Sequence, residues 1–445
     1  MSGKIYLVGF GPGSEEHMSY KAKAAIAESD VVIGYTTYIK LVKDLLDGKE
    51  VVRKGMTEEI DRCIEAYEQA KLDKVVALIS SGDIGVYGMA GPTYEVLLQA
   101  GWTPNDAIQV EIVPGSTALS ACASLVGAPL THDFCSISLS DLLTPWPVIA
   151  RRIDAAGHAD FVIALYNPKS GRRTQQIVQA QEILLRYRRP DTPVAIVKSA
   201  YRRRQSVQLV RLDAMAECDI GMLTTVLIGN SSTFIKEGLM ITPRGYANKY
   251  DSLTGAAKQG EQAGVSLSMG LEGWYACLRQ YVQDHPGLTL EKIADYFGVV
   301  IGEVLAAIAA GENAGEHKAV RIAPDKLNTV VSACQSWGRL RAVIRAEAGA
   351  ISELFLQAQD FQQRGDWLNI ETDTFHCHIN WNKVDAAYLA SREGKSYGVH
   401  FVDNKGHLVF RLLITKEEGE FSVAKLAVYT QTWKTLAAAE ETNHD

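Results

Sequence analysis

Several features are missing from this 445-residue sequence, and each absence narrows the classes of protein to which it can belong. No run of about 18 apolar residues occurs, so a membrane-spanning helix is not expected. The N-terminal residues MSGKIYLVGF enter a strand pattern directly and lack the charged and then apolar region of a secretory signal. We therefore expect a soluble, cytoplasmic protein that has no membrane partner.

Paired cysteines and a positive charge balance are missing as well. The seven cysteines are scattered and odd in number, and no two of them have the CxxC spacing. This pattern indicates reduced thiols and predicts no metal site, neither a structural zinc nor an iron–sulfur cluster. The formal net charge of −7 argues against nucleic acid as the main partner of the whole chain.

The length of the chain points to more than one domain, because a single core seldom grows beyond about 250–300 residues. The polar, glycine-rich stretch Ser252–Gly270 predicts a linker, placed at residues 251–270. Before it, strands alternate with helices in two parts, residues 1–138 and 139–250, which predicts an α/β fold with two subdomains. After it, residues 271–445 predict a separate α+β domain.

The stretch Ser80–Gly91, SSGDIGVYGMAG, is the richest in glycine. It follows an apolar run, Val75–Ile79, that predicts a buried strand, and it precedes a helix predicted at Pro92–Leu98. It therefore lies at the carboxyl end of a strand, where open α/β sheets bind their ligands. Asp83 is its one carboxylate. A ligand-binding loop and a glycine-rich turn with a solvated aspartate both fit this pattern.

Two further loops have a similar composition. Gly9–Gly13 follows a strand predicted at Ile5–Val8, but Ser14 stands where a dinucleotide fingerprint requires its third glycine, and no Walker lysine follows. The turn Pro114–Ala118 follows a strand predicted at Val110–Val113. Three glycine-bearing loops at one edge of a sheet predict a ligand cleft that does not bind a dinucleotide.

Residues 151–204 are basic, with 12 Lys or Arg against four Asp or Glu, a local balance of +8. Ser170, Arg172 and Arg173 stand out within this stretch because they follow a strand predicted at Phe161–Tyr166. Guanidinium groups suit carboxylates, so an acidic ligand is indicated. A solvated basic face explains part of the charge, and RNA is a weaker alternative because few aromatic residues are interleaved.

The region after the linker contains predicted helices followed by predicted strands at Phe375–Asn380, Tyr397–Val402, His407–Ile414 and Phe421–Lys425. His376 and His378 lie two residues apart on the first of these strands and therefore share one face. The pair predicts either a contact to a metal or haem iron, or simply polar side chains on the solvent face of a half-buried strand.

Taken together, VGFGPG, SSGDIGVYGMAGPTYEV, VPGSTALSACASLVGAPLTHDFCSISLSDLLTPW, LYNPKSGRR, IGNSST and TPRGY resemble the tetrapyrrole methyltransferases of cobalamin synthesis. The resemblance covers about Lys4–Tyr250 and is strongest to the precorrin-3B C(17)-methyltransferase group. It implies two α/β subdomains that hold S-adenosylmethionine (SAM) in a trough between them, usually in a homodimer. It also implies a polycarboxylate tetrapyrrole substrate, which agrees with the basic stretch.

The same resemblance implies which residues contact SAM. The implied SAM contacts are Pro12, Gly82, Asp83, Ile84, Thr117, Ala118, Tyr166, Ala200 and Thr225. Methyl transfer from a sulfonium mainly requires alignment, whereas ring contraction also requires a proton to move. His132, Asp133 and Asp141 are the candidates for that general acid or base, although a plain turn explains His132 and Asp133 equally well.

Residues Leu271–Lys434 resemble the HutX/ChuX haem-carrier family through LRQYVQDHPGLTLEKIADYFGVVIGEVLAAI, WGRL, HCHI and YGVHFVDNKGHLVFRLLI. This resemblance implies haem or another tetrapyrrole at His376 and His378. The expected function is SAM-dependent methylation of precorrin-3B or cobalt-factor III at carbon 17 with ring contraction. A tetrapyrrole carrier with a non-catalytic methyltransferase scaffold is the alternative, and an rRNA-modifying or diphthine-synthase-like member of the superfamily is a third.

Overall fold

The structure is a computed structural model that describes residues 3–55, 57–271, 273–311, 315–322, 324–346 and 349–441. The chain divides into two compact units, Met1–Tyr246 and Ala247–Asp445, here called unit 1 and unit 2. The outermost residues of the predicted domains, 1 and 445, lie outside the described residues. Unit 1 ends four residues before the predicted position 250, so the Ser252–Gly270 segment belongs to unit 2.

The first sheet of unit 1 is parallel and has both faces covered. Its strands are β1 (Lys4–Gly9), β2 (Val31–Tyr35), β3 (Glu50–Lys54), β4 (Val75–Ser80) and β5 (Gln109–Val113). Their order is β3-β2-β4-β1-β5, and every pairing is parallel. The helices of this subdomain are α1 (Tyr20–Glu28), α2 (Thr36–Leu41), α3 (Glu59–Lys71), α4 (Ala90–Gln99) and α5 (Ala118–Ala123).

The strand β1 shows why the three inner strands of this sheet, β1, β2 and β4, are largely apolar at successive positions. Ile5 and Leu7 face one buried cluster, and Tyr6 and Val8 face another on the opposite side of the sheet. A parallel sheet that is buried on both faces requires apolar residues at successive positions rather than at alternating ones. Because every pairing in this sheet is parallel, the carboxyl ends of all five strands lie at one edge, and the three glycine-bearing loops are found there.

The second sheet of unit 1 mixes parallel and antiparallel pairings. Strands and helices after α5 are β6 (Gly127–Ala128), β7 (Phe134–Ser138), α6 (Trp146–His158), β8 (Val162–Tyr166), α7 (Gln176–Leu184), β9 (Pro193–Lys198), β10 (Ser206–Arg211), β11 (Thr224–Ile228), β12 (Phe234–Lys236) and β13 (Leu239–Ile241). The sheet order is β10-β9-β11-β8-β7, and β12-β13-β6 forms a small separate sheet. Only β7 and β8 are parallel neighbours.

The predicted division of unit 1 at residue 138 needs correction. It assigns Phe134–Ser138 to the first subdomain, but this strand is β7, which pairs with β8 along its whole length in the second sheet. Strand pairing, which is not visible in the sequence, moves the boundary to before Phe134.

Unit 2 has two antiparallel sheets and a set of helices. Its elements are α8 (Tyr246–Lys249, starting at the last residue of unit 1), α9 (Trp274–Asp284), α10 (Leu290–Phe297), α11 (Ile301–Ala309), β14 (His317–Ile322), α12 (Leu327–Gln335), β15 (Leu340–Arg345), β16 (Ile351–Leu356), β17 (Phe361–Arg364), β18 (Trp367–Thr372), β19 (Phe375–Asn380), β20 (Ala386–Arg392), β21 (Ser396–Val402), β22 (Leu408–Ile414) and α13 (Val423–Glu441). The larger sheet has the order β14-β20-β21-β22-β15-β16, and the smaller one is β17-β18-β19.

The predicted strand at Phe421–Lys425 is wrong, because α13 begins at Val423. Leu426, Tyr429 and Trp433 recur every three or four residues and pack on the core of unit 2, which is the period of a helix. The five-residue window was too short to show this period. In the ranges that the structure describes, no helix combines the length and apolar character needed to cross a membrane.

Candidate active site

The three glycine-bearing loops of the first sheet pack directly on one another. The backbones of Gly11 and Gly82 exchange hydrogen bonds, with N–O distances of 3.0 and 2.7 Å, and both residues have positive φ. A Cβ on Gly9 would lie 2.8 Å from the backbone N of Ile84, and one on Gly115 would lie 2.2 Å from the carbonyl oxygen of Gly82. These glycines therefore permit close packing between loops, which the sequence alone could not distinguish from close approach of a ligand.

The carboxylate of Asp83 ties two of these loops together. Its Oδ1 accepts a hydrogen bond from the Gly85 N–H at 2.7 Å, and its Oδ2 accepts one from the Gly115 N–H at 3.0 Å. Both oxygens are thus committed to the backbone of the protein. Asp83 holds the loops in position rather than offering a free base.

Tyr166, at the carboxyl end of β8, connects the second sheet to the first subdomain. Its hydroxyl lies 2.6 Å from Thr117 Oγ1 and accepts a hydrogen bond from the Leu119 N–H at 2.7 Å. Burial raises the pKa of the Tyr166 phenol, so the hydroxyl stays protonated near neutral pH. It therefore joins Thr117 and the first turn of α5 to the end of β8.

A cavity of about 170 Å³ lies where these groups meet. Its lining comes from strand-end loops of both sheets and includes Pro12, Tyr38, Ser80, Ser81, Gly82, Asp83, Val86, Tyr87, Thr117, Ala118, Ala121, Cys122, Tyr166, Asn167, Ser199, Ala200, Arg202, Met222, Leu223, Thr224 and Thr225. Eight of the nine predicted cofactor contacts are in this set. The exception is Ile84, whose side chain is fully buried in the core of the first subdomain.

Three of the eight non-glycine residues with positive φ in the described part of the chain belong to the lining of this cavity. Tyr87, Asn167 and Ser199 line it, and their φ angles are 52°, 48° and 52°. The left-handed region is unfavourable for such residues and persists where the surrounding structure enforces it, often at functional sites. The Tyr87 hydroxyl donates to the Ser136 carbonyl at 3.0 Å, and its ring lies 4.9 Å from that of Tyr166.

Thirteen of the 21 lining residues are not among the predicted site residues, and three of these thirteen, Tyr87, Arg202 and Cys122, have side chains that bear on the chemistry of the cavity. Tyr87 lies inside the SSGDIGVYGMAG stretch, and Arg202 was counted only as part of the basic region. The Arg202 Nε donates to the Pro12 carbonyl at 2.6 Å, and burial lowers the pKa of its guanidinium. Cys122 is also buried, and desolvation raises the pKa of its thiol to about 11, so it is not a thiolate nucleophile.

Arg172 and Arg173 differ in their surroundings, although they are adjacent in sequence. The Arg173 guanidinium donates to the Asn167 carbonyl at 2.7 Å and to Ser140 Oγ at 3.4 Å. The Arg173 N–H also donates to Ser170 Oγ, so both Arg173 and Ser170 are used to hold their own loop. The Arg173 Nε is buried and has no hydrogen-bond partner among the described residues, whereas Arg172 is exposed. That both guanidinium groups contact an acidic ligand stays a prediction.

His132 and Asp133 lie at the wrong end of the second sheet for chemistry in this cavity. β7 runs parallel to β8 with Ser138 opposite Tyr166, so the cavity is at the carboxyl end of β7. His132 and Asp133 precede its first residue, about 16 Å away along the strand. Both are exposed, and the Asp133 N–H donates to His132 Nδ1 at 2.8 Å, as in a local turn.

Asp141 follows the carboxyl end of β7 and is near the loop of Arg173. Its Oδ2 accepts a hydrogen bond from Gln176 Nε2 at 2.7 Å, and its Oδ1 is 3.9 Å from Arg173 Nη1. It does not line the cavity. Of the three predicted acid–base residues, it is the one on the cavity side of the sheet.

The two histidines of β19 share one exposed face, as their spacing predicts. Their ring centroids are 6.3 Å apart, and both residues are exposed. His378 Nδ1 lies 2.6 Å from Oδ1 of Asn369 on the neighbouring β18. Among the described residues, no group of three or more His, Cys, Asp or Glu side chains is arranged to hold a metal ion.

Tyr166→Phe is expected to weaken cofactor binding about tenfold. The substitution keeps the ring but leaves the Leu119 N–H and the Thr117 hydroxyl without their partner, and an unsatisfied buried group costs about 1–3 kcal/mol. Calorimetric titration with SAM measures the change. Tyr187→Phe removes the exposed hydroxyl that donates to Asp154 and serves as the control. Equal affinities for wild type and Tyr166→Phe would contradict the bridging role.

Comparison with known proteins finds one matching family model in each unit. The family described as Tetrapyrrole (Corrin/Porphyrin) Methylases matches residues 4–216, and Haem utilisation ChuX/HutX matches residues 320–432. The crystal structure of the methyltransferase CobJ superposes with a TM-score of 0.52 and 34% identity, covering 54% of this chain and all of that one. The CobJ structure therefore corresponds to about half of this chain.

Two curated relatives show how far the similarity extends. The cobalt-factor III methyltransferase of Priestia megaterium is 58% identical over 250 residues, which cover 56% of this chain and 46% of that protein. The probable cobalt-factor III C(17)-methyltransferase of Salmonella typhimurium is 48% identical over 242 residues, which cover 54% of this chain and 99% of that protein. The chain thus spans about half of the first relative and almost all of the second.

Proposed function

The chain belongs to the tetrapyrrole (corrin/porphyrin) methylases, and we propose that unit 1 methylates carbon 17 of cobalt-factor III or precorrin-3B. The reaction is proposed to use SAM and to contract the ring. The observation that carries this proposal is the cavity at the carboxyl ends of both sheets, which eight residues implied by the methyltransferase motifs line. The curated relatives named for this reaction support the choice of substrate.

The residues around the cavity fit SAM chemically. Ala118, Ala121, Met222 and Leu223 offer apolar contact, and Thr117 and Tyr166 offer hydroxyls. Arg202 supplies a guanidinium group whose Nε donates to the carbonyl oxygen of Pro12. A guanidinium group suits the carboxylate of an amino acid. When bound, SAM supplies an electrophilic methyl group on a sulfonium whose departure leaves a neutral thioether.

The protein contributes mainly alignment to such a transfer. Asp83 fixes the two loops of the first sheet, and the Tyr166 hydroxyl fixes the end of β8 against α5. Holding two reactants in a productive geometry can supply much of the barrier reduction. The one carboxylate in the lining is already hydrogen-bonded to backbone, which agrees with a step that needs no strong base.

Ring contraction additionally requires a proton to move, and we assign that role to Asp141. Asp141 follows the carboxyl end of β7. Gln176 donates a hydrogen bond to its carboxylate, and the Arg173 guanidinium lies 3.9 Å from it. These contacts orient the carboxylate toward the loop that carries Arg172. His132 and Asp133 are no longer candidates for this step.

Reversing the charge of Arg172 is expected to raise KM for the tetrapyrrole about threefold to tenfold and to leave SAM affinity unchanged. Arg172 is exposed, and an exposed guanidinium–carboxylate contact contributes up to about 1 kcal/mol, to which repulsion is added in Arg172→Glu. Arg189→Glu is the matched control, since Arg189 precedes β9 at the opposite end of the sheet and pairs with Asp191. Steady-state kinetics with each substrate varied in turn measure both constants, and an equal effect of the two variants would count against a substrate role.

The proposed reaction is tested by incubating the full chain with methyl-labelled SAM and either cobalt-factor III or precorrin-3B under anaerobic conditions. Mass spectrometry should show one labelled methyl group, and the absorbance spectrum should change as the macrocycle contracts. The two substrates separate the cobalt-bearing from the metal-free reaction. Label transfer to neither substrate would overturn the proposal.

For unit 2 we propose tetrapyrrole binding at the exposed face of β19, with His376 and His378 as the contacts. The observations that favour it are the shared exposed face of the two imidazoles and the match to the haem utilisation family. We further propose that the chain acts as a cytoplasmic homodimer. The test titrates haemin into the full chain and follows the Soret band, which should shift in wild type and not in the double His→Ala variant.

A further inference from the structure

Unit 2 contains a second cavity that neither the sequence motifs nor the proposed reaction uses. It has a volume of about 230 Å³ and lies between α10, α11 and one face of the larger sheet. Six cationic side chains line it, contributed by β14, β15, β20, β22 and the turn joining β20 to β21: Lys318, Arg341, Arg345, Arg392, Lys395 and Arg411. It belongs to a different sheet from the β19 histidines.

Three carboxylates neutralise only part of this charge. Glu291 pairs with Arg345 at 3.4 Å and with Arg411 at 2.9 Å. Glu316 pairs with Arg392 and Lys395, and Glu353 pairs with Arg341 at 3.5 Å. Six cations against three carboxylates leave an excess of about three positive charges around one small space, and the two histidines that line it do not offset this excess.

Two buried nitrogens in the wall have no hydrogen-bond partner among the residues that the structure describes. They are His400 Nδ1 and Arg411 Nε, on the neighbouring strands β21 and β22. His400 is only 5% exposed, and its side chain lines the cavity. Buried polar groups in native proteins are nearly always paired, so two orphaned nitrogens beside one cavity indicate a missing polar partner. Arg411 Nε can only donate, so that partner must carry an acceptor atom.

We propose that this cavity binds an anion that carries two or three carboxylate or phosphate groups. Guanidinium forks match the oxygens of both groups, and an anion would balance the excess charge and accept hydrogen bonds from the wall. The volume is below the range of about 300–1,000 Å³ for drug-sized ligands, so a whole macrocycle does not fit. The ligand is either a small free polyanion or the acetate- and propionate-bearing edge of a larger molecule.

The proposal is tested on the full chain by calorimetric titration with three probes: tricarballylate, inorganic pyrophosphate and uroporphyrin III. Lys318→Glu is the variant, since Lys318 is exposed at the cavity rim and its replacement leaves the core intact. Lys383→Glu, an exposed lysine of the same unit outside the cavity, is the control. We expect at least one probe to bind the wild type and the control equally and the variant at least tenfold more weakly.

The three probes distinguish the two sources of the anion. Binding of tricarballylate or pyrophosphate that depends on Lys318 identifies a free polyanion. Binding of uroporphyrin III alone, with the same dependence, identifies the carboxylate edge of a tetrapyrrole. Uroporphyrin binding that is equal in wild type and Lys318→Glu belongs to another site, such as the exposed face of β19, and does not count for this cavity. The proposal is overturned if none of the three probes shows binding that Lys318→Glu weakens.

Discussion

Gly115→Ala is expected to reduce the kcat/KM for methyl transfer by about 100-fold or more. The new Cβ would lie 2.2 Å from the Gly82 carbonyl oxygen and 2.5 Å from the Gly9 carbonyl oxygen, and both are backbone atoms that cannot rotate away. The three loops at the carboxyl edge of the first sheet must therefore separate. A displacement of about 1 Å near reacting groups can cost about 100-fold in rate, and here the displaced loops carry nine of the 21 residues that line the cavity.

Gly91→Ala is the matched control for this substitution. Gly91 belongs to the same glycine-rich stretch, but nothing lies within 4 Å of the Cβ that alanine would add, and the residue is part of α4. Alanine favours a helix over glycine by about 1 kcal/mol, so this variant should be active and no less stable. Wild-type turnover by Gly115→Ala, or an equal loss in both variants, would show that loop packing does not set the activity.

Unit 2 is expected to lose about 2 kcal/mol of stability between pH 7 and pH 5. Burial, together with the nearby Arg411, lowers the pKa of His400 from 6.5 to about 3. Between these values the unfolded chain binds a proton that the folded chain does not, so this contribution is complete above about pH 6.5 and is lost as the pH falls toward 3. Burial also lowers the pKa of His317, which adds to the effect in the same direction.

Urea unfolding at a series of pH values, followed by tryptophan fluorescence, measures this change. Five of the seven tryptophans are in unit 2, and Trp337 is fully buried there, so the signal reports mainly this unit. His400→Gln should flatten the pH dependence, whereas His376→Gln, which alters an exposed imidazole, should leave it as in wild type. The same slope in His400→Gln as in wild type would refute the assignment to His400.

The position of the cavity in unit 1 could be predicted from the sequence because it follows from topology. Glycine-bearing loops after Val8, Ile79 and Val113 had to meet once the strands were recognised as parallel, whatever their exact contacts. The partners of individual side chains could not be predicted in this way. Both oxygens of Asp83 bind backbone N–H groups, and no residue type in the sequence marks a backbone donor.

The errors have equally specific causes. His132 and Asp133 are close to Phe134 in sequence, but only the parallel pairing of β7 with β8 shows which end of the strand faces the cavity. The basic cavity of unit 2 leaves no local pattern, because Lys318 and Arg411 are separated by more than 90 residues and meet only in the folded sheet. A sequence window detects residues that work together only when they are also close along the chain.

The order in which the cavity residues appear along the chain matters during synthesis. The last of them is Thr225, and unit 1 is complete at residue 246, before any part of unit 2 has been translated. At about 5–20 residues per second, the roughly 200 residues of unit 2 take about 10–40 s to emerge from the ribosome. The nascent chain can therefore close its cofactor cavity, and be held folded by cofactor, while the second unit is still being made.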